Sequence, residues 1–340
     1  MILIQTVKNR LPYIDCAKGI TILLVIFAHT IGNGGRFEAV LRGIIFSFHM
    51  PLFFILSCMT SRFSTDGNEL IAKMEKTFIR LLIPAILIGS IRPLYEIAIE
   101  KDFRTILMLG GGLVNRLVYA SGVLTNIQNT EVEPLGMCWF LVALFCSKLL
   151  FDYLQLKCTS ERKLSILVLI CSLVGVLISF LQWLPLNFDI VLAIQPFLYA
   201  GFKLKKFDIT NHTVRNLLFV TVAFLLLLAI EFFVCNNYLE LAARRYALWP
   251  LSFVIAFCGT LAVLYVSQIL QYAKIFNWLN YLGKNSFIIF TFHALDYIWK
   301  PIWQVTENNY LNCLFRMILD IGFTLILCLI LHFRNKMQEK

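Results

Sequence analysis

Apolar runs recur along the chain, separated by short polar segments, and most of them approach or reach the roughly 20 residues that a helix needs to cross a bilayer. The first, at 15–30 (DCAKGITILLVIFAHT), carries Lys18 near its start and His29 near its end. At ~100° and ~1.5 Å per residue, the spacing puts Lys18 and His29 within about 20° of each other on a helix and about 16 Å apart along it. One face carries both. Asp15 precedes Lys18 by one turn on nearly the same face, and Ile22 and Val25 continue the stripe. In a spanning helix Asp15 and Lys18 lie at one surface and His29 lies well inside. Ionisable groups at such depth face a bundle interior or a water-filled cavity, so the default reading is a functional site; the competing reading is a histidine bonded to a neighbouring helix carbonyl.

Gly32, Asn33, Gly34 and Gly35 end this helix with turn chemistry. A second span at 40–61 contains SFHMPLFFILSC, with His49 near its midpoint and Pro51 just after it. A polar loop at 62–80 returns to the cytoplasm, and a third span at 81–99 has Pro84 in its first turn and Arg92-Pro93 breaking it late. The stretch 103–123 is only partly apolar and holds Gly110, Gly111, Gly112 and Arg116, so it reads as an outer-face amphipathic or re-entrant element. Seven more spans follow at 136–156, 164–181, 188–204, 214–234, 247–270, 285–303 and 312–333. The fold class is therefore an all-α polytopic membrane protein of about ten transmembrane helices.

Composition agrees. Hydrophobic residues make up 59% of the chain and charged residues 15%, and mean hydropathy is +0.77; one membrane-embedded domain spans 1–340. The net charge of +10 does not point to nucleic acid, because the basic residues are dispersed through short loops. They sort by side instead. With Lys8, Arg10 and Lys18 ahead of the first helix and Arg334, Lys336 and Lys340 at the other end, both termini are expected to be cytoplasmic, and Lys and Arg then favour that side by about two to one. No cleavable leader is read at the N-terminus, since the first apolar run lacks a small-residue cleavage site. Of ten cysteines, Cys58, Cys146, Cys171, Cys258 and Cys328 sit inside apolar runs and no CxxC pair occurs, which reads as packing rather than metal or redox chemistry.

His29, His49 and His293 fall at broadly similar depth, and near neutrality an imidazole exchanges a proton at little cost, as a general base for a sugar hydroxyl must. No HExxH or comparable ligand spacing accompanies them, so no metal is expected. Asp296, three residues after His293, either orients it or pairs with Lys300; Arg316 and Asp320 read as an i,i+4 ion pair. Trp139, Trp183, Trp249, Trp299 and Trp303 fall near predicted outer boundaries and read mainly as interface anchors. Lys76 and Arg80 stand at the cytoplasmic entrance to the third span, near the level of Lys18, where three cations would hold an anionic phosphate compound such as coenzyme A; each one singly also fits an ordinary cytoplasmic-side residue. The glycine triplet at 110–112 lacks the Lys-Ser/Thr of a P-loop.

At these residues the chain resembles the acyltransferase family 3 of bacterial membrane O-acyltransferases, and within it the fucose 4-O-acetylase-like branch. The resemblance rests on RLPYIDCAKGITILLVIFAHT at 10–30, SFHMPLFFILSC at 47–58, IRLLIPA at 79–85, WFLVALF at 139–145 and YLGKNSFIIFTFH at 281–293, in family order. It implies a cytoplasmic acyl-CoA donor and a sugar acceptor presented at the outer side. The family's basic residue, ten intervening residues and histidine fall on Lys18 and His29, with His29 the implied catalytic residue. Three positions depart from the pattern: Ala28 and Cys58 stand where glycine is frequent, and Thr77 replaces the first arginine of the family's Arg-x-x-Arg, leaving donor contact to Arg80 and Lys76.

The expectation is an inner-membrane O-acetyltransferase using acetyl-CoA, with His29, His49 and Asp15 as the catalytic set and Lys18, Arg80 and Lys76 at the donor. Two other classes fit the same pattern: a transporter or flippase for a small polar solute or lipid-linked sugar, with the histidines relaying protons, and a non-catalytic assembly protein of an envelope-polysaccharide locus. Transport predicts inverted hydropathy repeats and no dependence on acetyl-CoA.

Overall fold

The computed structural model describes residues 11–32, 35–127, 129–207 and 213–338. Lys8, Arg10, Asn33, Gly34 and Lys340, used above for sidedness and for the first turn, lie outside the described residues. In chain order the elements are α1 (Pro12–Ile31), α2 (Arg36–Phe46), α3 (His49–Met59), α4 (Gly67–Thr77), α5 (Ile83–Ile99), α6 (Phe103–Tyr119), β1 (Thr125–Ile127), β2 (Thr130–Val132), α7 (Trp139–Lys157), α8 (Glu161–Leu181), α9 (Phe188–Ala193), α10 (Gln195–Leu204), α11 (Thr213–Cys235), α12 (Leu251–Gln271), α13 (Asn277–Lys284), α14 (Ser286–Leu295), α15 (Lys300–Trp303) and α16 (Asn309–Gln338). The protein is an all-α polytopic membrane protein, its only sheet among the described residues being the antiparallel hairpin β1–β2. Eight helical stretches there are long and apolar enough to cross a membrane. The other two expected spans, 188–204 and 285–303, are broken helices.

The breaks follow proline. A proline has no N–H and its ring clashes with the carbonyl four residues back, so it sits comfortably only in a helix's first turn. Pro51 is the third residue of α3, and the expected continuous helix at 40–61 is interrupted at Ser47 and Phe48. Pro196 and Pro301 likewise stand in the first turns of α10 and α15. Before Pro84 the chain makes one π-helical turn, Phe78–Leu82, in which the Ile83 N–H donates to the Phe78 carbonyl. Two expectations are corrected here. Most of the 62–80 loop is helix α4, capped by Asp66, whose carboxylate accepts the Glu69 N–H; and α5 runs on through Pro93 to Ile99 rather than breaking there. The 103–123 stretch contains α6, capped by Asp102, with Phe103, Leu107 and Met108 exposed.

The chain forms two compact units, one of Met1–Ile45, Ile209–Leu226 and Cys258–Lys340, the other of Phe46–Asp208 and Leu227–Phe257. In the first, α1 crosses α13 at backbone contact. A Cβ on Gly19 would overlap the Leu279 carbonyl oxygen, and one on Gly283 would overlap that of Asp15. Small residues at a crossing let two membrane helices approach this closely, so that dispersion and weak polar contacts replace the hydrophobic drive that lipid removes. Gly283→Ala is accordingly expected to push the two helices apart and cost at least about 1–3 kcal/mol, the usual penalty for overpacking, read as a lowered unfolding temperature in detergent. Further neighbours of α1 are α14 and α16.

The second unit uses the same device twice. Gly201 on α10 lies against the Ile55 carbonyl of α3, and Gly175 on α8 against the backbone of Asp189 and Ala193, where the Ser172 hydroxyl donates to the Ala193 carbonyl at 2.8 Å. Exposed Leu169, Leu173 and Leu177 on α8 face away from that contact, as lipid-facing residues do. All ten cysteines are free.

Candidate functional site

In the first unit, four helices bring polar side chains to one place. His29 and Thr30 come from the last turn of α1, His293 and Asp296 from the end of α14, Trp303 from α15, and Arg316 and Asp320 from α16. His29 is exposed, whereas His293 and Asp320 are fully buried. The two imidazoles stand side by side, with ring centroids 5.8 Å apart and planes inclined by 57°.

His293 Nδ1 is 3.0 Å from Asp320 Oδ2 and 3.3 Å from Asp296 Oδ2. Ionised carboxylates only accept hydrogen bonds, so facing them Nδ1 carries the proton and Nε2 keeps its lone pair. Nε2 is buried and bonds to no protein group. Arg316 pairs through Nε with Asp296 Oδ2, donates from Nη1 to the Thr30 hydroxyl at 3.1 Å and lies 4.6 Å from the centre of the Trp303 ring. The Thr30 hydroxyl in turn donates to the Ile26 carbonyl at 2.6 Å, and the Trp303 indole N–H donates to the Asp296 carbonyl at 3.2 Å. The residue next to His29 is thus tied to the same arginine that neutralises the carboxylates around His293.

Charge balance gives this cluster its chemical character. Two carboxylates face one obligate cation, Arg316, and an unbalanced charge in a low-dielectric interior is expensive. Hydrogen bonds from His293 Nδ1 offset part of the surplus carboxylate charge. The same three side chains present one nitrogen and two carboxylate oxygens within 4.8 Å of one another, a set that could ligate a cation. Arg316 already occupies Asp296, so the donor set is more complete as a hydrogen-bonded ion cluster than as a metal site.

Two expectations are corrected by this arrangement. Arg316 and Asp320, one turn apart on α16, do not pair with each other: Arg316 reaches Asp296 and Asp320 reaches His293. Asp296 orients His293 and does not pair with Lys300 among the described ion pairs. Trp303, expected at the membrane interface, is 7% exposed and belongs to the cluster. Asp15 and Lys18 lie in the first two turns of α1, Asp15 buried and Lys18 half-buried.

In the second unit, His49 is the first residue of α3, 3% exposed, with its ring 4.7 Å from that of Phe46. Lys76 lies in the last turn of α4 and Arg80 in the π-helical turn; both are exposed. Such turns are frequent at functional sites because the extra residue re-aims the side chains that follow. Nearby cations have specific partners. Lys73 pairs with Asp152, whose carboxylate also accepts the Ser64 N–H and hydroxyl at 2.9 Å each, and Lys148 donates to the Ser57 hydroxyl at 3.1 Å. Lys73 and Lys205 flank the Phe63 ring, each 5.6 Å from its centre.

The fold and this chemistry define a multi-pass membrane protein with a histidine–carboxylate centre among its helices. Residues 11–333 match the acyltransferase family 3 model, which describes an acyltransferase domain, and the chain belongs to that family. Comparison with curated proteins yields no match. The protein is therefore a membrane acyltransferase, and its partners are a lipid bilayer, an acyl donor and an acyl acceptor.

Proposed function

We propose that this protein is an O-acetyltransferase of the cytoplasmic membrane, of the fucose 4-O-acetylase-like kind, that moves acetyl groups from cytoplasmic acetyl-CoA to a hydroxyl of a cell-envelope or exopolysaccharide sugar. The observation that carries the reading is the pairing of exposed His29 with His293, whose ring is held through Nδ1 by Asp320 and Asp296.

His29 acts as the base. As the sugar oxygen attacks the thioester carbonyl carbon, His29 takes the hydroxyl proton; when the tetrahedral intermediate collapses, the C–S bond breaks and the same proton leaves with the coenzyme A thiolate. The products are the sugar acetate and free coenzyme A. The variant in which His29 first accepts the acetyl group and then yields it to the sugar balances equally. Lys18 on α1, and Arg80 and Lys76 at the entrance to α5, are assigned to the donor's phosphates, for which cations are the matching chemistry. His49 is assigned to the acceptor, and Asp15 completes the catalytic set.

The reading is tested by incubating membranes with acetyl-labelled acetyl-CoA and envelope glycans. Label is expected in the glycan as an alkali-labile ester, with one coenzyme A thiol released per ester formed. Glycan that stays unlabelled while the membranes import a solute independently of acetyl-CoA would replace the reading with transport.

A further inference from the structure

We propose that the cavity at the end of α8 is a saccharide subsite, in which a neutral pyranose ring stacks on Trp183. The inference rests on the sugar-acceptor reading above and adds the place where the sugar is held. The cavity measures about 490 Å³, within the range of small-molecule sites, and is lined by Tyr119, Asn126, Ser179, Gln182 and Trp183 among others.

Its walls are built rather than incidental. After Leu181 the chain reverses through Leu186 and Asn187, both in left-handed backbone conformations (φ 55°) that cost energy outside glycine. Asn187 is held there from both ends of its amide. Its Nδ2 donates to the Ala120 carbonyl at 2.7 Å, and its Oδ1 accepts Arg244 Nη2 at 2.9 Å. Arg244, 5% exposed, donates from Nε to Asp189 Oδ2 at 2.9 Å, and its guanidinium lies 3.7 Å from the centre of the Trp183 ring. A buried arginine–aspartate pair thus backs one face of an indole. An anchor in the lipid headgroups needs no such clamp, whereas a recognition platform gains from it, because a pre-set ring loses little rotamer freedom when a ligand arrives.

The chemistry of the lining selects the ligand. Aromatic faces carry partial negative charge and attract the polarised C–H groups on one side of a pyranose. The side-chain amides of Asn126 and Gln182 supply donors and acceptors for hydroxyls. No charged residue is among those lining the cavity, and Arg244 is committed to Asp189 and Asn187, so an anionic headgroup would find no cation. Ser179 links the cavity to the buried network, 3.1 Å from Asp189 Oδ2 and 3.2 Å from the Tyr246 hydroxyl.

The same ring chemistry is presented by a free glycan and by a lipid-linked saccharide. The experiment uses the full chain in nanodiscs without acetyl-CoA and reads saturation-transfer NMR from methyl pyranosides, for the free sugar, and from octyl pyranosides, for the lipid-linked one. Saturation of ring protons is expected for at least one of the two probes, falling about tenfold in Trp183→Ala. Asn126→Ala and Gln182→Ala remove exposed side chains, and unfolding temperatures equal to the parent's separate weakened binding from misfolding. Ring-proton saturation unchanged in all three variants, saturation confined to the octyl chain, or no saturation from either probe overturns the subsite. Because binding is read without donor, absence of binding by the parent chain with intact acetyl transfer sinks the subsite alone, and intact binding by the parent without transfer sinks only the enzymatic reading.

Discussion

Replacing His29 by alanine is expected to abolish acetyl transfer while leaving the protein as abundant and as heat-stable as the parent. A positioned general base contributes about 10²–10⁴-fold, and if the imidazole also carries the acetyl group the loss reaches the limit of detection. Stability is spared because the side chain is exposed and α1 is held by Gly19, Thr30 and its buried face rather than by His29. The measurement is turnover of labelled acetyl-CoA by parent and variant in matched proteoliposomes, beside unfolding temperatures of both. Turnover within a few-fold of the parent would remove His29 from the chemistry. A drop accompanied by a lower unfolding temperature would instead be traced to folding, and His29→Gln then separates the two.

The second large effect is expected one shell away, at Asp320. Asparagine in its place can still accept the His293 Nδ1–H, so ring orientation survives, but one of the two carboxylates is gone. Arg316 and Asp296 then balance by themselves, and the group facing His293 Nδ1 is no longer an anion that can stabilise positive charge on the ring. A fall in turnover of about 10–10²-fold is expected for Asp320→Asn, at unchanged KM for acetyl-CoA, because the change touches proton handling and not donor contact. His293→Ala should match or exceed it. Leaving two buried carboxylates facing one arginine also costs stability, about 3–5 kcal/mol by analogy with other broken buried pairs, so the conservative Asp320 change is the more informative of the two. A raised KM with unchanged turnover in Asp320→Asn would move this cluster from the reaction to donor binding.

Proline explains both what was legible in the chain and what was misread. Hydropathy located every long apolar segment, since burial in lipid demands the same run of side chains whatever the helices later do. The prolines at 51, 84, 196 and 301 are equally visible; Pro84 falls in an expected first turn, Pro51 falls inside an expected continuous span, and Pro196 and Pro301 enter no expectation. In the structure they stand within the first turn of a new helix, after a break or a widened turn. A helix starting at such a proline satisfies its backbone without the missing donor, whereas a continuous one would not. The polar stretch at 67–77 was missed for a different reason: its apolar stripe is confined to Leu70, Ile71 and Met74 among charged residues, too short to stand out beside the long apolar runs.

The site divides along the same line. One helix brings Lys18 and His29 onto a shared face through its own geometry, and no tertiary contact is needed to see it. Asp320, Arg316, Asp296 and Trp303 each stood out as polar or aromatic groups in apolar surroundings, but apart from His293 for Asp296 their partners did not. An i,i+4 spacing offers Arg316 and Asp320 to each other; packing of α14, α15 and α16 against α1 offers closer ones, and in a medium without water each buried charge takes the partner that the crossing places nearest. The sequence alone determined the membrane class, the apolar segments and the histidine stripe of α1, because those depend on local composition and helical period. Tertiary structure alone decided which carboxylate serves which cation, since Arg316 and Asp296 stand 20 residues apart and His293 and Asp320 27 residues apart, beyond the reach of any one helix turn.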